Sequence, residues 1–543
     1  MVLTLVFFSL LAYANAVPVV SIGESTIIGS EFRPSKVEFF GGIPFAKPPV
    51  GELRLQPPVF VKTPPVKILH ADKFGFACLQ NGMPPDTVSE DCLTLNIFRP
   101  AGVVAGARLP VMVWIYGGGF VSGASSLYNG TEIVARSNKR GTPLIFASLN
   151  YRVGPLGFPQ GVEAGQRNIS NLGLQDQLAA LEWIQNNIEK FGGDKSKVTL
   201  VGESAGAISI NIHLMGTNIR KFARAAILES TAWLPTFKPE VNEAAWQSYV
   251  AAIPACASKT ADTFDCIRSA DSQALLQALT AAQIFSDNTF FHPVIDGLGG
   301  LLVDRPSKVV LKAHLPTMIG STLDEGTFST PQGINSSSQI EQFLIFGTSP
   351  PLVNPTEQAN AVKHILELYP DVPALGAPFG TGNETFGLSS QYKRFAAIFG
   401  DFIFESARRT FAENLAAAGV KVFAYRFSDP DATHPVLPTG PAVPGSLGIT
   451  HSSEISYVFG SPLNPTPTAV KLSKHMMDYW ISFATSLDPN DNHLNETRPH
   501  WQQYTPREKM ILDLNGHGTV PIRDNFRAKQ IAFFQNNPDS LHR

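Results

Sequence analysis

Two stretches of the chain are apolar without alternation, Val111-Met112-Val113-Trp114-Ile115-Tyr116 and Leu144-Ile145-Phe146-Ala147-Ser148-Leu149. A strand with one wet face alternates, so unbroken runs predict central strands covered on both faces. Leu174, Leu178, Leu181, Ile184 and Ile188 then recur at helical spacing over residues 172–188, until Phe191-Gly192-Gly193 stops the pattern. Further strands are predicted at 198–201, 225–228, 317–320 and 422–427. Strands alternating with helices give an α/β fold, a mostly parallel central sheet flanked by helices. The Pro- and Gly-rich stretches 328–390 and 428–450 read as excursions from that scaffold rather than as linkers.

The run Val198 to Val201 feeds directly into Gly202-Glu203-Ser204-Ala205-Gly206, with small residues and a helix-like stretch behind it. A G-x-S-x-G signature in a strand–turn–helix context is a nucleophile elbow, whose sharp turn needs the flanking glycines. It presents the hydroxyl of Ser204 at a helix N-terminus, where the positive end of the dipole favours a developing anion. Upstream, Gly117-Gly118-Gly119-Phe120 follows the first apolar run. Coupled to an elbow, such a run reads as an oxyanion hole, with Gly118 and Gly119 donating beside Ala205.

Composition narrows the classes. Lys and Arg total 42 against 45 Asp and Glu, a net charge of −3 without a basic block, which excludes a nucleic-acid or anionic-membrane surface. The hydrophobic fraction of 44% supports a large core, and the 37 phenylalanines read first as its filling. At the N-terminus a short apolar run, Leu3 to Ala12, precedes Ala14-Asn15-Ala16, so residues 1–16 read as a signal peptide despite the missing Lys or Arg. No stretch is long enough to span a bilayer, and the last residues carry neither a retention signal nor an anchoring tail. The expectation is a secreted protein with no stable membrane anchor.

Cysteines and sequons agree with export. Cys78, Cys92, Cys256 and Cys266 form two close pairs, which favours Cys78–Cys92 and Cys256–Cys266 over the other connectivities. Sequons stand at Asn129, Asn168, Asn335, Asn383 and Asn495. No spacing of Cys or His suggests a metal, and no cofactor is expected.

An elbow serine needs a base and an acid to orient it, following the serine in the order acid, then histidine. His451, in the polar loop Gly448-Ile449-Thr450-His451-Ser452-Ser453-Glu454, stands out. Pattern alone leaves His434 in contention and the acid undecided among several Asp and Glu.

Beyond the elbow, the chain carries Phe40-Gly41-Gly42-Ile43-Pro44-Phe45-Ala46-Lys47-Pro48-Pro49-Val50-Gly51, Glu90-Asp91-Cys92-Leu93-Thr94-Leu95-Asn96-Ile97, Asn150-Tyr151-Arg152-Val153-Gly154 and Phe191-Gly192-Gly193-Asp194. In these blocks and their order, from about residue 20 to 520, it resembles the type-B carboxylesterase/lipase family, α/β-hydrolases that include cholinesterases and secreted fungal lipases. The resemblance implies Glu325, in Leu323-Asp324-Glu325-Gly326-Thr327, as triad acid and His451 as base. Residues 17–543 then read as one catalytic domain with an ester-cleaving Ser204-Glu325-His451 triad. Asp324 and Glu454 read as supporting residues, and Glu203 as either tuning the field at Ser204 or simply favoured at a helix N-terminus.

In that family the loop enclosed by the first disulfide is a movable lid in lipases and carries a choline-binding Trp in cholinesterases. Here Leu79 to Asp91 contains no aromatic residue, which argues against choline esters. The loop is short, polar and Pro-containing, a poor amphipathic lid, so an open site accepting soluble esters as well as lipids is expected, with transient contact at a lipid surface. Phe285, Phe290 and Phe291 resemble the family's acyl-pocket region and would favour apolar acyl chains. Sterol and feruloyl-type esterases share the triad. A non-catalytic adhesion protein of the same fold is disfavoured, because all three triad residues are present.

Overall fold

The computed structural model describes residues 17–259, 261–282, 291–432, 436–437, 440–491 and 498–543. Its centre is an eleven-stranded sheet, in chain order β1 (Ser30–Phe32), β2 (Val37–Pro44), β3 (Thr94–Pro100), β4 (Leu109–Ile115), β5 (Ile145–Leu149), β6 (Gly193–Glu203), β7 (Ala225–Glu229), β8 (Thr317–Thr322), β9 (Val422–Phe427), β10 (Met510–Leu514) and β11 (Val520–Arg523). Across the sheet the order is β11-β10-β9-β8-β7-β6-β4-β5-β3-β2-β1. The pairs from β10 through β5 are parallel, and both margins are antiparallel. The apolar runs become the covered centre: β4 is buried from Val111 to Ile115, and β5 and β7 throughout.

Seven helices bear on the site: α1 (Leu172–Asn187), α2 (Ala205–Gly216), α3 (Ser337–Gly347), α4 (Pro355–Leu368), α5 (Ser390–Gly400), α6 (Ser406–Ala417) and α7 (Pro467–Ser486). Helix α1 runs on through a 3₁₀ turn to Phe191 and stops at Gly192, whose φ of 90° is open to glycine. The stretch 328–390 is more structured than an excursion. Helices α3, α4 and α5 bury Ile340, Leu344, Val362, Ile365, Phe395 and Ile398 in an apolar cluster of their own. That cluster backs the turn carrying Glu325: a Cβ on Gly326 would stand 2.0 Å from the Ala396 carbonyl oxygen, so only glycine lets the turn seat against α5.

Parallel strands leave their carboxyl ends on one edge, where the crossovers diverge and a cleft can form. From this edge β4 runs into Gly117–Gly119, β6 into Ser204, β7 into Ser230 and β8 into Glu325. The segment beyond β9 reaches the same edge through the Asp324–Thr450 bridge, which brings in His451.

Candidate active site

Ser204 sits between β6 and α2 with φ 51° and ψ −124°, a strained conformation for a side-chain-bearing residue. Its surroundings hold it there. Its N–H donates to the Glu229 carbonyl at 2.9 Å. A Cβ on Gly206 would stand 1.9 Å from the Ile115 oxygen, so the elbow closes on β4 only with glycine at that position. Ala205 opens α2, and the N–H of a first helical residue has no intrahelical acceptor. Gly117 passes so near that a Cβ there would lie 2.8 Å from the Cβ of Ser204. Gly118 and Gly119 follow, exposed, with φ of 108° and 61°.

His451 faces this serine across the cleft. Its Nε2 lies 2.8 Å from Ser204 Oγ and its Nδ1 2.6 Å from Glu325 Oε2. With Nδ1–H donating to the carboxylate, Nε2 is left as the acceptor for the serine hydroxyl. Glu325 is fixed in turn: its other oxygen accepts the Thr322 N–H at 2.7 Å and the Ser230 hydroxyl at 2.6 Å. The histidine loop hangs on Asp324, whose carboxylate accepts the Phe379 N–H at 2.8 Å and the Ile449 N–H at 2.9 Å. Phe404 and Phe328 pack against the imidazole, with ring centroids 4.7 and 5.7 Å away.

Four buried glutamates cluster at this site, Glu203 and Glu325 against the imidazole and Glu229 and Glu454 behind them. Burial pushes the Glu229 carboxyl up to about 8, against the hydrogen bond from Trp480 Nε1 at 2.7 Å. Burial, together with the neighbouring carboxylates, holds Glu454 well above the ordinary carboxylate range. These two carboxyls neighbour the pair, Glu203 and Glu325, that faces His451. Glu203 lies 3.3 Å from its Nε2 and accepts the Ser452 hydroxyl at 2.5 Å. Burial opposes charging the imidazole, but Glu203 and Glu325 outweigh it and hold the His451 pKa above its ordinary value. Burial likewise pushes Glu203 up, against the pull of His451 and Ser452.

The structure thus brings together Ser204, Glu325, His451, Ala205, Gly118 and Gly119. Of the acyl-pocket candidates, Phe291 is fully buried in the main core, and Phe285 and Phe290 lie outside the described residues. An apolar crevice instead runs along α2, lined by Ile208, Ile212, Trp233, Leu234, Pro293 and Leu302. Both disulfides pair as the spacing favours, Cys78 with Cys92 and Cys256 with Cys266. Asn129, Asn168, Asn335 and Asn383 are exposed, whereas Asn495, residues 1–16 and His434 lie outside the described residues. Sequence reasoning missed Ser230, Ser452, Phe328 and Phe404. Phe404 projects from a π-helical turn, Asp401–Glu405, between α5 and α6, a backbone irregularity without a residue signature.

The Cys78–Cys92 loop is tied down at both ends. Gln80 accepts the Gly123 N–H at 2.7 Å and donates to the Gly123 carbonyl at 2.8 Å, just past the glycine run. Glu90 forms a two-pronged pair with Arg54 at 2.6 and 2.7 Å, and Arg54 also donates to the Ile267 and Ala270 carbonyls.

Comparison with known proteins agrees with this geometry. The model of the carboxylesterase family matches residues 16–534. The chain is 33% identical to Lipase 1 of Geotrichum candidum over 92% of each sequence. It is 32% identical to Secreted lipase 1 of Botryotinia fuckeliana, over 97% of this chain and 94% of that protein. The crystal structure of Aspergillus niger EstA superposes with a TM-score of 0.81 at 25% identity, covering 97% of this chain and all of that one. An elbow, a glycine loop and a family match over nearly its whole length identify the chain as a member of the carboxylesterase family, a carboxylic ester hydrolase with the α/β-hydrolase fold.

Proposed function

We propose that the protein is exported and cleaves esters with apolar acyl chains through a covalent acyl-enzyme on Ser204. The observation that carries this is the unbroken chain Ser204–His451–Glu325, at 2.8 and 2.6 Å, beside a loop of three glycines. Ser204 Oγ attacks the ester carbonyl as His451 Nε2 takes its proton, and Glu325 steadies the imidazolium. The N–H groups of Gly118, Gly119 and Ala205 receive the oxyanion, each donor contributing roughly 10²–10³ in turnover. The tetrahedral intermediate expels the alcohol, which takes the proton from His451. Water, deprotonated by the same nitrogen, attacks the acyl-enzyme and releases the acid and the free serine.

Apolar side chains along α2 and the segment facing it, Ile208, Trp233 and Leu234 among them, support an apolar acyl site. Ties at Gln80 and Glu90, and the lack of any aromatic residue from Leu79 to Asp91, support a fixed rim rather than a swinging lid. Turnover therefore rises smoothly with substrate concentration, without a jump where the substrate forms an interface. Export is supported by the apolar leader, two disulfides, exposed sequons and relatives such as Secreted lipase 1. Residues 17–543 act as one catalytic domain.

The test is hydrolysis of p-nitrophenyl esters from acetate to palmitate, with sterol and feruloyl esters alongside and Ser204→Ala as control. Activity that persists into long chains and vanishes in the control is expected, because each buried CH₂ contributes up to about 0.8 kcal/mol. Activity confined to acetate, or to sterol or feruloyl esters, would refute the apolar-acyl reading. Equal inactivity of both proteins on every ester would refute the catalytic one.

A further inference from the structure

Arg543 is fully buried, yet its charge has no carboxylate partner among the described residues. Burial alone acts on the guanidinium and lowers its pKa. Nη1 donates to the Ser406 hydroxyl at 2.8 Å, where α6 begins, whereas Nε and Nη2 have no hydrogen-bond partner among the described residues. The cation packs instead against two rings, 5.3 Å from the centroid of Trp233 and 4.9 Å from that of Phe402. Arg527, at the other end of the same π-helical turn, shows the usual arrangement of a buried charge: its Nε and Nη2 donate to the Asp401 carboxylate, each at 2.7 Å.

Trp233 lines the crevice along α2 together with Ile208 and Leu234. Its Nε1 has no hydrogen-bond partner among the described residues, so packing sets the tilt of the indole. Besides Arg543, Phe411 of α6 meets the ring edge-on, with centroids 6.3 Å apart. The Trp233 N–H donates to the Ile403 carbonyl at 3.0 Å, which fixes the backbone but not the ring. Arg543 is itself stitched to this region: the His542 carbonyl accepts the Thr236 N–H at 3.3 Å, and the Arg543 carbonyl accepts the Ser307 hydroxyl. Thr236, and Pro306 next to Ser307, line the same crevice.

We propose that Arg543 is a positioning residue for the acyl site: it holds the Trp233 ring in the wall and so sets the selectivity for longer acyl chains, a role that rests on the proposed reading of this crevice as the place of the acyl chain. A cation buried without an anion costs free energy, and an apolar side chain of similar volume would fill the space at lower cost. A guanidinium does what an apolar chain cannot, because its flat face stacks on aromatic rings while its edge donates hydrogen bonds. Arg543 thereby couples Trp233 to Phe402 and Ser406, and Phe402 belongs to the turn whose Phe404 packs on His451. A two-carbon acyl group makes little use of such a wall, whereas a longer chain depends on it.

The test compares p-nitrophenyl octanoate with the acetate in the full chain, as wild type, Arg543→Met, Arg543→Lys and Trp233→Ala. The readout is the ratio of the two kcat/KM values, which a smaller folded fraction leaves unchanged. In Arg543→Met the ratio should fall about three- to tenfold, through KM for the octanoate, as expected for loss of a desolvated cation–π contact. Arg543→Lys keeps a cation at the ring and should recover part of that loss. A ratio unchanged in Arg543→Met but shifted in Trp233→Ala would overturn the proposal and leave the acyl site standing. A ratio unchanged in both would remove the acyl site and, with it, the role of Arg543. A fall in Arg543→Met that lysine does not relieve would assign the effect to volume rather than to the cation, and would overturn the proposal as well.

Discussion

Ser204 and His451 meet at 2.8 Å but are held there by opposite means. The serine is placed by its neighbours in sequence: a strand before it, a helix after it and glycines two residues away on either side. The histidine sits on a long loop and is placed by residues distant in the chain. Asp324 holds its backbone, Glu325 its Nδ1 and Ser230 the carboxylate behind that. Local geometry makes a nucleophile whose placement rests on the few residues of the elbow and the strands packed against it. Remote support makes a base that any of several side chains can misplace.

That contrast can be broken most sharply at Glu325. In Glu325→Gln the amide no longer selects the Nδ1–H tautomer, and kcat should fall by on the order of 10⁴. KM should change little, as steady-state kinetics on a soluble ester will check. A loss equal for kcat/KM and kcat would place the effect in the transition state.

Asp324→Asn tests the loop rather than the imidazole. Burial pushes the Asp324 carboxyl up to about 7, and both of its oxygens accept backbone N–H groups, which pull the other way. An amide can accept only one of the two. The loop should slacken and kcat drop about ten- to a hundredfold, since a displacement near 1 Å can cost that much. The elbow does not depend on Asp324, so phosphonylation of Ser204 by a small, highly reactive fluorophosphonate, with loss of fluoride, should slow less than ester turnover. Equal slowing would place Asp324 in support of both halves.

The mildest change is at Glu203. His451 acts as base only when neutral, and Glu203 and Glu325 hold its pKa above the ordinary value, so activity is lost as pH falls through that raised pKa. In Glu203→Gln one of these anions is gone, the imidazolium is less favoured, and the acidic limb of the kcat/KM profile should move to lower pH. An unmoved limb would assign Glu203 to holding Ser452 and the loop alone.

The same division separates what the sequence discloses from what it does not. Unbroken apolar runs mark β4 and β5, and the elbow and the glycine run are contiguous motifs whose chemistry lies within a few residues. His451 and Glu325 emerge from family resemblance, because a loop histidine and one acid among many carry no periodicity. Ser230, Ser452 and Phe404 are invisible to both approaches. Ser230 acts from φ 51° at the end of β7, Ser452 from φ 68° in the histidine loop, and Phe404 from a π-helical turn. The antiparallel strands β2 and β3 overlap family blocks but show no pattern of a covered centre. Helices α3 and α4 lie in Pro- and Gly-rich sequence whose short helical repeats are masked by the breakers around them.

Hydrolysis depends above all on activation of Ser204 by His451. Wild type and His451→Ala should be incubated with a fluorophosphonate probe and digested, and the adduct located by mass spectrometry. Stoichiometric labelling of Ser204 is expected in the wild type and none in His451→Ala over the same time, although the serine is still present. Label on another residue, or equal labelling of Ser204 in both proteins, would contradict it.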